Sequence, residues 1–230
     1  MESIKEIYRI GMGPSSSHTM GPRKAAQIFL TRNPEAASYQ VTLYGSLAAT
    51  GKGHLTDKAI LDVLGAKRTE LLWKPEEQKP YHTNALVFKS FSPDDQWLIY
   101  SIGGGALYDA TDPIKATPVY DLRSMDQILQ WAQKSGRTLW EYVEQCEGPS
   151  IWDFLAEIWQ AMKESIYRGL EQEGSLPGQL HLARKASSYY AKALNTGEFF
   201  QKLTLAFAYA LAVSEENAGG GTIVTAPTCG

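Results

Sequence analysis

The stretch from residue 38 to residue 66, SYQVTLYGSLAATGKGHLTDKAILDVLGA, changes its period part-way along. Its start, SYQVTLYG, alternates apolar and polar side chains and stops at Gly45, the pattern of a half-buried strand. Its end, TDKAILDVLGA, reads as a helix, with Thr56 or Asp57 as the expected cap and Gly65 as the stop. Between the two, Gly45, Gly51 and Gly53 permit positive φ or close approach of another backbone.

Outward from this core the same alternation of elements continues. Upstream, SIKEIYRI (residues 3–10) reads as a short amphipathic helix and PRKAAQIFLTR (22–32) as a second one, with Pro22 in its first turn. Downstream, NALVFKSF (84–91) and QWLIYSIGGG (96–105) read as two strands joined by the turn SPDD. Three glycines in a row at the end of the second strand imply a bulge or a backbone pressed against a neighbour. The fold class is therefore α+β, with a small α/β sandwich over residues 1–120. From about residue 124 the period becomes 3.6: Ile151, Phe154, Leu155, Ile158, Trp159, Met162, Ile166 and Leu170 share one helical face. Phe200, Leu203, Phe207, Ala210 and Leu211 form a similar stripe, and EQEGSLPGQL (171–180) is a loop between helices. Residues 121–230 are expected to be a helical region, with the boundary within 111–123. A β-type run, Thr222 to Val224, comes just before the last residues, TAPTCG, and this ending reads as a truncation.

The bulk numbers exclude several classes. The 230 residues are 43% hydrophobic and 20% charged, with a formal net charge of −3. Lys and Arg are scattered, so no nucleic-acid partner is expected. No run has membrane length and no secretory leader is visible, so a cytoplasmic protein without a membrane partner is expected. Two cysteines, Cys146 and Cys229, are too few for a disulfide framework.

Four loops carry side chains able to do chemistry. GMGPSSSHTMGPRKAA (11–26) presents hydroxyls and backbone N–H groups just before a helix start, where anions are favoured. Its serines serve either as helix caps or as an anion site. It is not a P-loop, because the Gly-Lys-Ser/Thr ending is missing. His54 follows the glycines of the second loop and is either a solvated loop histidine or a site residue. His82 and Asn84, two apart at a strand entrance, could face one side together, or simply tie off the strand. Glu215, Glu216 and Asn217 end a helix, where carboxylates oppose the dipole.

Taken in order, IGMGPSSSHTMGP, YGSLAATGKGHLTDKA, SIGGG, GSLPG and EENAGGGTIVTAPTCG resemble the iron–sulfur-dependent L-serine dehydratases (L-serine ammonia-lyases). The resemblance implies a β domain related to an allosteric amino-acid-binding fold, followed by the first part of a helical α domain. It implies a 4Fe–4S cluster as Lewis acid and no pyridoxal phosphate. In the family pattern the cluster cysteines fall beyond Gly230. Cys229 stands where the family has Asn, next to the first ligand, and Cys146 matches no cluster position. The family chemistry, loss of water and then of ammonia from L-serine, needs a base near neutral pH. His54 is the first candidate and His82 the second. Ser15, Ser16, Ser17, His18, Thr19 and Asn84 are the candidate substrate-binding residues, and a homo-oligomer is expected. The alternative is a non-catalytic module that senses serine.

Overall fold

The computed structural model describes residues 1–111, 118–177 and 180–226. A 3-10 turn over Ile4–Glu6 leads into strand β1 (Arg9–Met12), and a π-helical turn over Ser16–Met20 runs into helix α1 (Gly21–Arg32). Strand β2 (Ser38–Tyr44) is followed by α2 (Gly45–Thr50), α3 (Thr56–Leu64), β3 (Thr69–Lys74), β4 (Ala85–Phe91), β5 (Asp95–Gly103) and β6 (Ala106–Tyr108). Five further helices follow: α4 (Met125–Ser135), α5 (Leu139–Glu147), α6 (Ile151–Glu171), α7 (Ala186–Leu194) and α8 (Glu198–Ala218). The last described element is strand β7 (Thr222–Thr225).

The sandwich forms as the alternation requires. Strands β2 to β6 make one sheet in the order β3-β2-β4-β5-β6, with β3 parallel to β2 and the other pairs antiparallel. Tyr39, Val41 and Leu43 of β2 and Leu86 and Phe88 of β4 point to one face. There they meet Ala25, Ala26 and Phe29 of α1 and Ile60 and Leu64 of α3. Phe29 is fully buried among Phe88, Trp97 and Tyr39, with ring centroids 5.3, 6.4 and 6.1 Å away. Burying each such side chain contributes about 1.5–3 kcal/mol. The expected strand pair 84–91 and 96–105 is present, and its ladder slips between Ser101 and Gly103, the bulge that the glycines announced.

Two local expectations are corrected, and one strand was not anticipated. Residues 3–10 are not one helix: only Ile4–Glu6 form a turn, and Arg9–Met12 pair antiparallel with Thr222–Thr225. A β-branched partner strand from the far end of the chain outweighs the weak helical bias of so short a segment. Strand β3 was not legible as a strand, because Leu71 and Leu72 follow one another without alternation. Neither Thr56 nor Asp57 caps α3. Leu55, at φ 56°, holds the cap position, and Thr56 Oγ1 instead donates to the His18 carbonyl.

In the helical part, α8 packs against α7 and α6 through Ala208, Ala212, Glu215 and Glu216. Its large side chains are outside: Phe199 is 88% exposed and Phe200, Leu203 and Phe207 are all more than half exposed. The carboxylates that oppose the α8 dipole have structural partners. Glu215 accepts from the N–H groups of Lys185 and Ala186 and so caps α7. Glu216 pairs with Arg168 at 3.0 Å and with Arg184 at 3.7 Å. No described helix is long and apolar enough to cross a membrane.

Candidate active site

The serine turn is held from both ends. Gly13 N–H donates to Gly221 O at 3.0 Å, and Asn217 Nδ2 donates to Pro14 O at 3.1 Å. A Cβ at Gly13 would collide with the Asn217 carbonyl and side chain, so only glycine lets α8 come this close. Inside the turn, Ser15 Oγ accepts from His18 N–H at 3.1 Å, and Ser15 N–H donates to Thr19 Oγ1. Ser101, at the sheet bulge, donates its hydroxyl to Ser17 O at 2.7 Å. Thr19 in turn donates to His54 O at 2.7 Å. Fixed in this way, the turn presents its first N–H groups, which have no acceptor of their own within a helix.

Two histidines meet against it. The rings of His18 and His54 lie 4.7 Å apart, tilted by 33°. His18 Nδ1 is 2.9 Å from Ser17 Oγ, and its Nε2 is 3.1 Å from Ser46 Oγ. Burial first, and the His54 ring second, hold His18 below the ordinary imidazole value. His54 is oriented differently. Its Nδ1 is 3.0 Å from the Thr50 carbonyl, which only accepts, so Nδ1 carries the hydrogen and Nε2 keeps its lone pair. Among the described residues nothing bonds to that Nε2.

The second candidate pair joins through the backbone. Ser101 N–H donates to Asn84 O, and Ser46 N–H donates to Thr83 O. Gly45, at φ +50°, makes that approach possible, since a Cβ there would meet Thr83 O at 2.5 Å. His82 Nδ1 accepts from Asn84 N–H at 3.0 Å, so in the neutral ring the hydrogen sits on Nε2. His82 is therefore a donor where His54 is an acceptor. Asn84 is 7% exposed, and its Oδ1 is buried without a donor among the described residues. Ser15, Ser17, His18 and Thr19 are occupied with each other, while the Ser16 hydroxyl has no partner among the described residues.

Ser46 was not picked out from the sequence, nor were Thr50, Thr56, Ser101 and Asn217 as supports. The one available signal was position: Ser46 follows a glycine at a strand end, and Ser101 precedes three.

A pH dependence follows from His18. The unfolded chain protonates this imidazole near 6.5, the folded chain only at lower pH. Between those two values the unfolded state binds more protons, so stability falls as pH drops below 6.5. Urea unfolding at a series of pH values from neutrality downward should show this slope, and His18→Gln should flatten it.

The serine dehydratase beta chain family matches residues 3–70, and the serine dehydratase alpha chain family matches residues 59–230. This chain belongs to the serine dehydratase family. It is 34% identical to an L-serine dehydratase of Streptomyces coelicolor over 290 aligned residues, covering 99% of the chain and 63% of that relative. To L-serine dehydratase 1 of Escherichia coli it is 30% identical, covering 100% and 63%, and to that of Helicobacter pylori J99 32%, covering 99% and 63%. The chain thus spans 63% of the length of these curated relatives. The aligned spans exceed its 230 residues, so these serine dehydratases carry extra segments within the match.

An iron–sulfur cluster takes three or four thiolates, counting a substrate-open iron as one short. The chain has two cysteines: Cys146 is a free thiol on α5, and Cys229 lies outside the described residues. Among the described residues no three His, Cys, Asp or Glu side chains are grouped to hold a metal ion. The thiolates of this chain do not fit a complete cluster site, so the chemistry below is that of its other side chains.

Proposed function

We propose that this chain supplies the substrate-binding turn and the general base of an L-serine ammonia-lyase, which converts L-serine to pyruvate and ammonia. The observation that carries it is His54, anchored through Nδ1 to Thr50 O with Nε2 free beside the serine turn. The substrate carboxylate is bound by the Ser16 hydroxyl and the first N–H groups of the turn. The buried, donorless Asn84 Oδ1 accepts from the substrate ammonium, which relieves an unpaired acceptor. Nε2 of His54 then takes the α-proton. His18, kept neutral by burial and by its neighbour, leaves the site without a second positive charge that would oppose this transfer. The electron pair of the broken Cα–H bond forms the Cα=C3 double bond as the C3 oxygen departs, and the proton held on His54 Nε2 passes to that oxygen, which leaves as water. The aminoacrylate tautomerises to the imine, and water hydrolyses it to pyruvate and ammonia.

The same reading includes a 4Fe–4S cluster, which would supply a Lewis acid; the residues that would hold it are not among the side chains described above. The proposal also divides the chain into residues 1–120 and 121–230, and it includes the cytoplasm as compartment. Exposed Phe199, Phe200 and Leu203 on α8 support assembly, and a homo-oligomer is part of the same reading.

Ser16→Ala tests the binding role. Losing one hydrogen bond to a charged group should raise KM for L-serine about tenfold in the assembled enzyme, with a smaller change in kcat. Unchanged kinetics would remove the turn from the site.

A further inference from the structure

A cleft of about 510 Å³ lies between β1 and α1, lined by Lys5, Glu6, Arg9, Arg23, Lys24 and Thr222 among others. It contains four cations and one carboxylate, on a chain whose formal net charge is −3. Three of the cations have a carboxylate near them, Lys5 acting on Glu147 without an ion pair. Arg9 Nη2 reaches Glu6 Oε2 at 3.3 Å, and Arg23 lies 3.8 Å from Asp62. Lys5 reaches the Ser150 hydroxyl at 3.4 Å. Lys24 has neither a hydrogen bond nor an ion pair with any described residue. Desolvation, then the Arg9 guanidinium, hold Lys24 below the usual lysine value, with Glu6 offsetting part of this. The charge left over here is positive, and its walls come from β1, α1 and β7, so it is shaped rather than spread over an open surface.

We propose that this cleft binds a small phosphate monoester. Two guanidinium and two ammonium groups match the charge and the several acceptor oxygens of a phosphate; Arg9 Nη2 is shared with the Glu6 carbonyl and carboxylate, so it would have to turn from Glu6 to reach the ligand. The volume exceeds what a bare phosphate fills and leaves room for a small organic body. Met12 and Met20, which bracket the serine turn, also line the cleft, so its occupant touches that turn.

Isothermal titration of the chain with inorganic phosphate and with glycerol 3-phosphate tests this. Saturable one-to-one binding is expected, tighter for the ester. Arg9→Gln and Lys24→Gln should each weaken it about tenfold. Lys89→Gln, on β4 and outside the cleft, should leave it unchanged. Absence of saturable heat, or equal weakening by all three substitutions, would overturn the proposal. If the cleft variants do not fold, labelling of the wild-type chain with an acetylating reagent decides. Glycerol 3-phosphate should protect Lys24 and not Lys89; equal labelling of both with and without the ester rules the site out.

Discussion

His54→Asn should lower turnover of L-serine by about 10²- to 10⁴-fold in the enzyme assembled from this chain. Asparagine is the informative choice. Its side-chain amide N–H can still donate to Thr50 O, as Nδ1 does, and so keeps the loop anchored. What it lacks is the free Nε2 lone pair. Serine binding, measured by equilibrium titration, should therefore persist while kcat collapses. His82→Asn should cost much less, because His82 Nδ1 is already committed to Asn84 N–H and its neutral ring offers a donor. If His54→Asn turned over normally with altered cooperativity in serine, the base role would be lost and a sensing role would take its place.

Glu216→Gln should destabilise the fold by about 3–5 kcal/mol, lowering the melting temperature on the order of 10 °C. The Glu216 side chain is 3% exposed and faces Arg184, itself 8% exposed. Among the described residues Arg184 Nη1 is buried without a hydrogen bond, and Glu216 is the carboxylate that faces it. Neutralising Glu216 leaves a guanidinium in a medium that solvates it poorly. Arg168, the other partner, is 37% exposed and loses less, since water can take over. Glu164→Gln is the control: its 4.0 Å contact with Arg168 is at the surface, and its loss should cost under about 1 kcal/mol. Thermal unfolding of the three proteins decides. Equal melting temperatures for wild type and Glu216→Gln would show that the buried pair carries no net stability.

How much of this was readable beforehand depended on the range of the interactions. Strand β2, helix α3 with its Gly65 stop, the SPDD hairpin and the long helix α6 are set by local period and turn chemistry, and all were legible. Strand β1 was not, because its partner lies at the other end of the chain, and residues 3–10 taken alone favour a helix. The serine turn and His54 were picked out by residue type and by glycine spacing. Their roles were not separable there, since the difference between His54 and His82 is which nitrogen faces a carbonyl and which faces an N–H. Ser46 stayed hidden for a related reason: its value comes from a His18 ring brought to it by tertiary packing. Periodicity grouped Phe200, Leu203 and Phe207 of α8 on one apolar face, but it reports which face is apolar and says nothing about whether that face is covered.

The short ribbon of Arg9–Met12 on Thr222–Thr225 also bears on how the molecule is made. Its two strands lie far apart in sequence, so closing them is among the slowest contacts a growing chain can form. The segment that follows the first strand is the one that carries the hydroxyl groups. During synthesis that segment would therefore stay unlatched until Thr222–Thr225 has emerged from the ribosome.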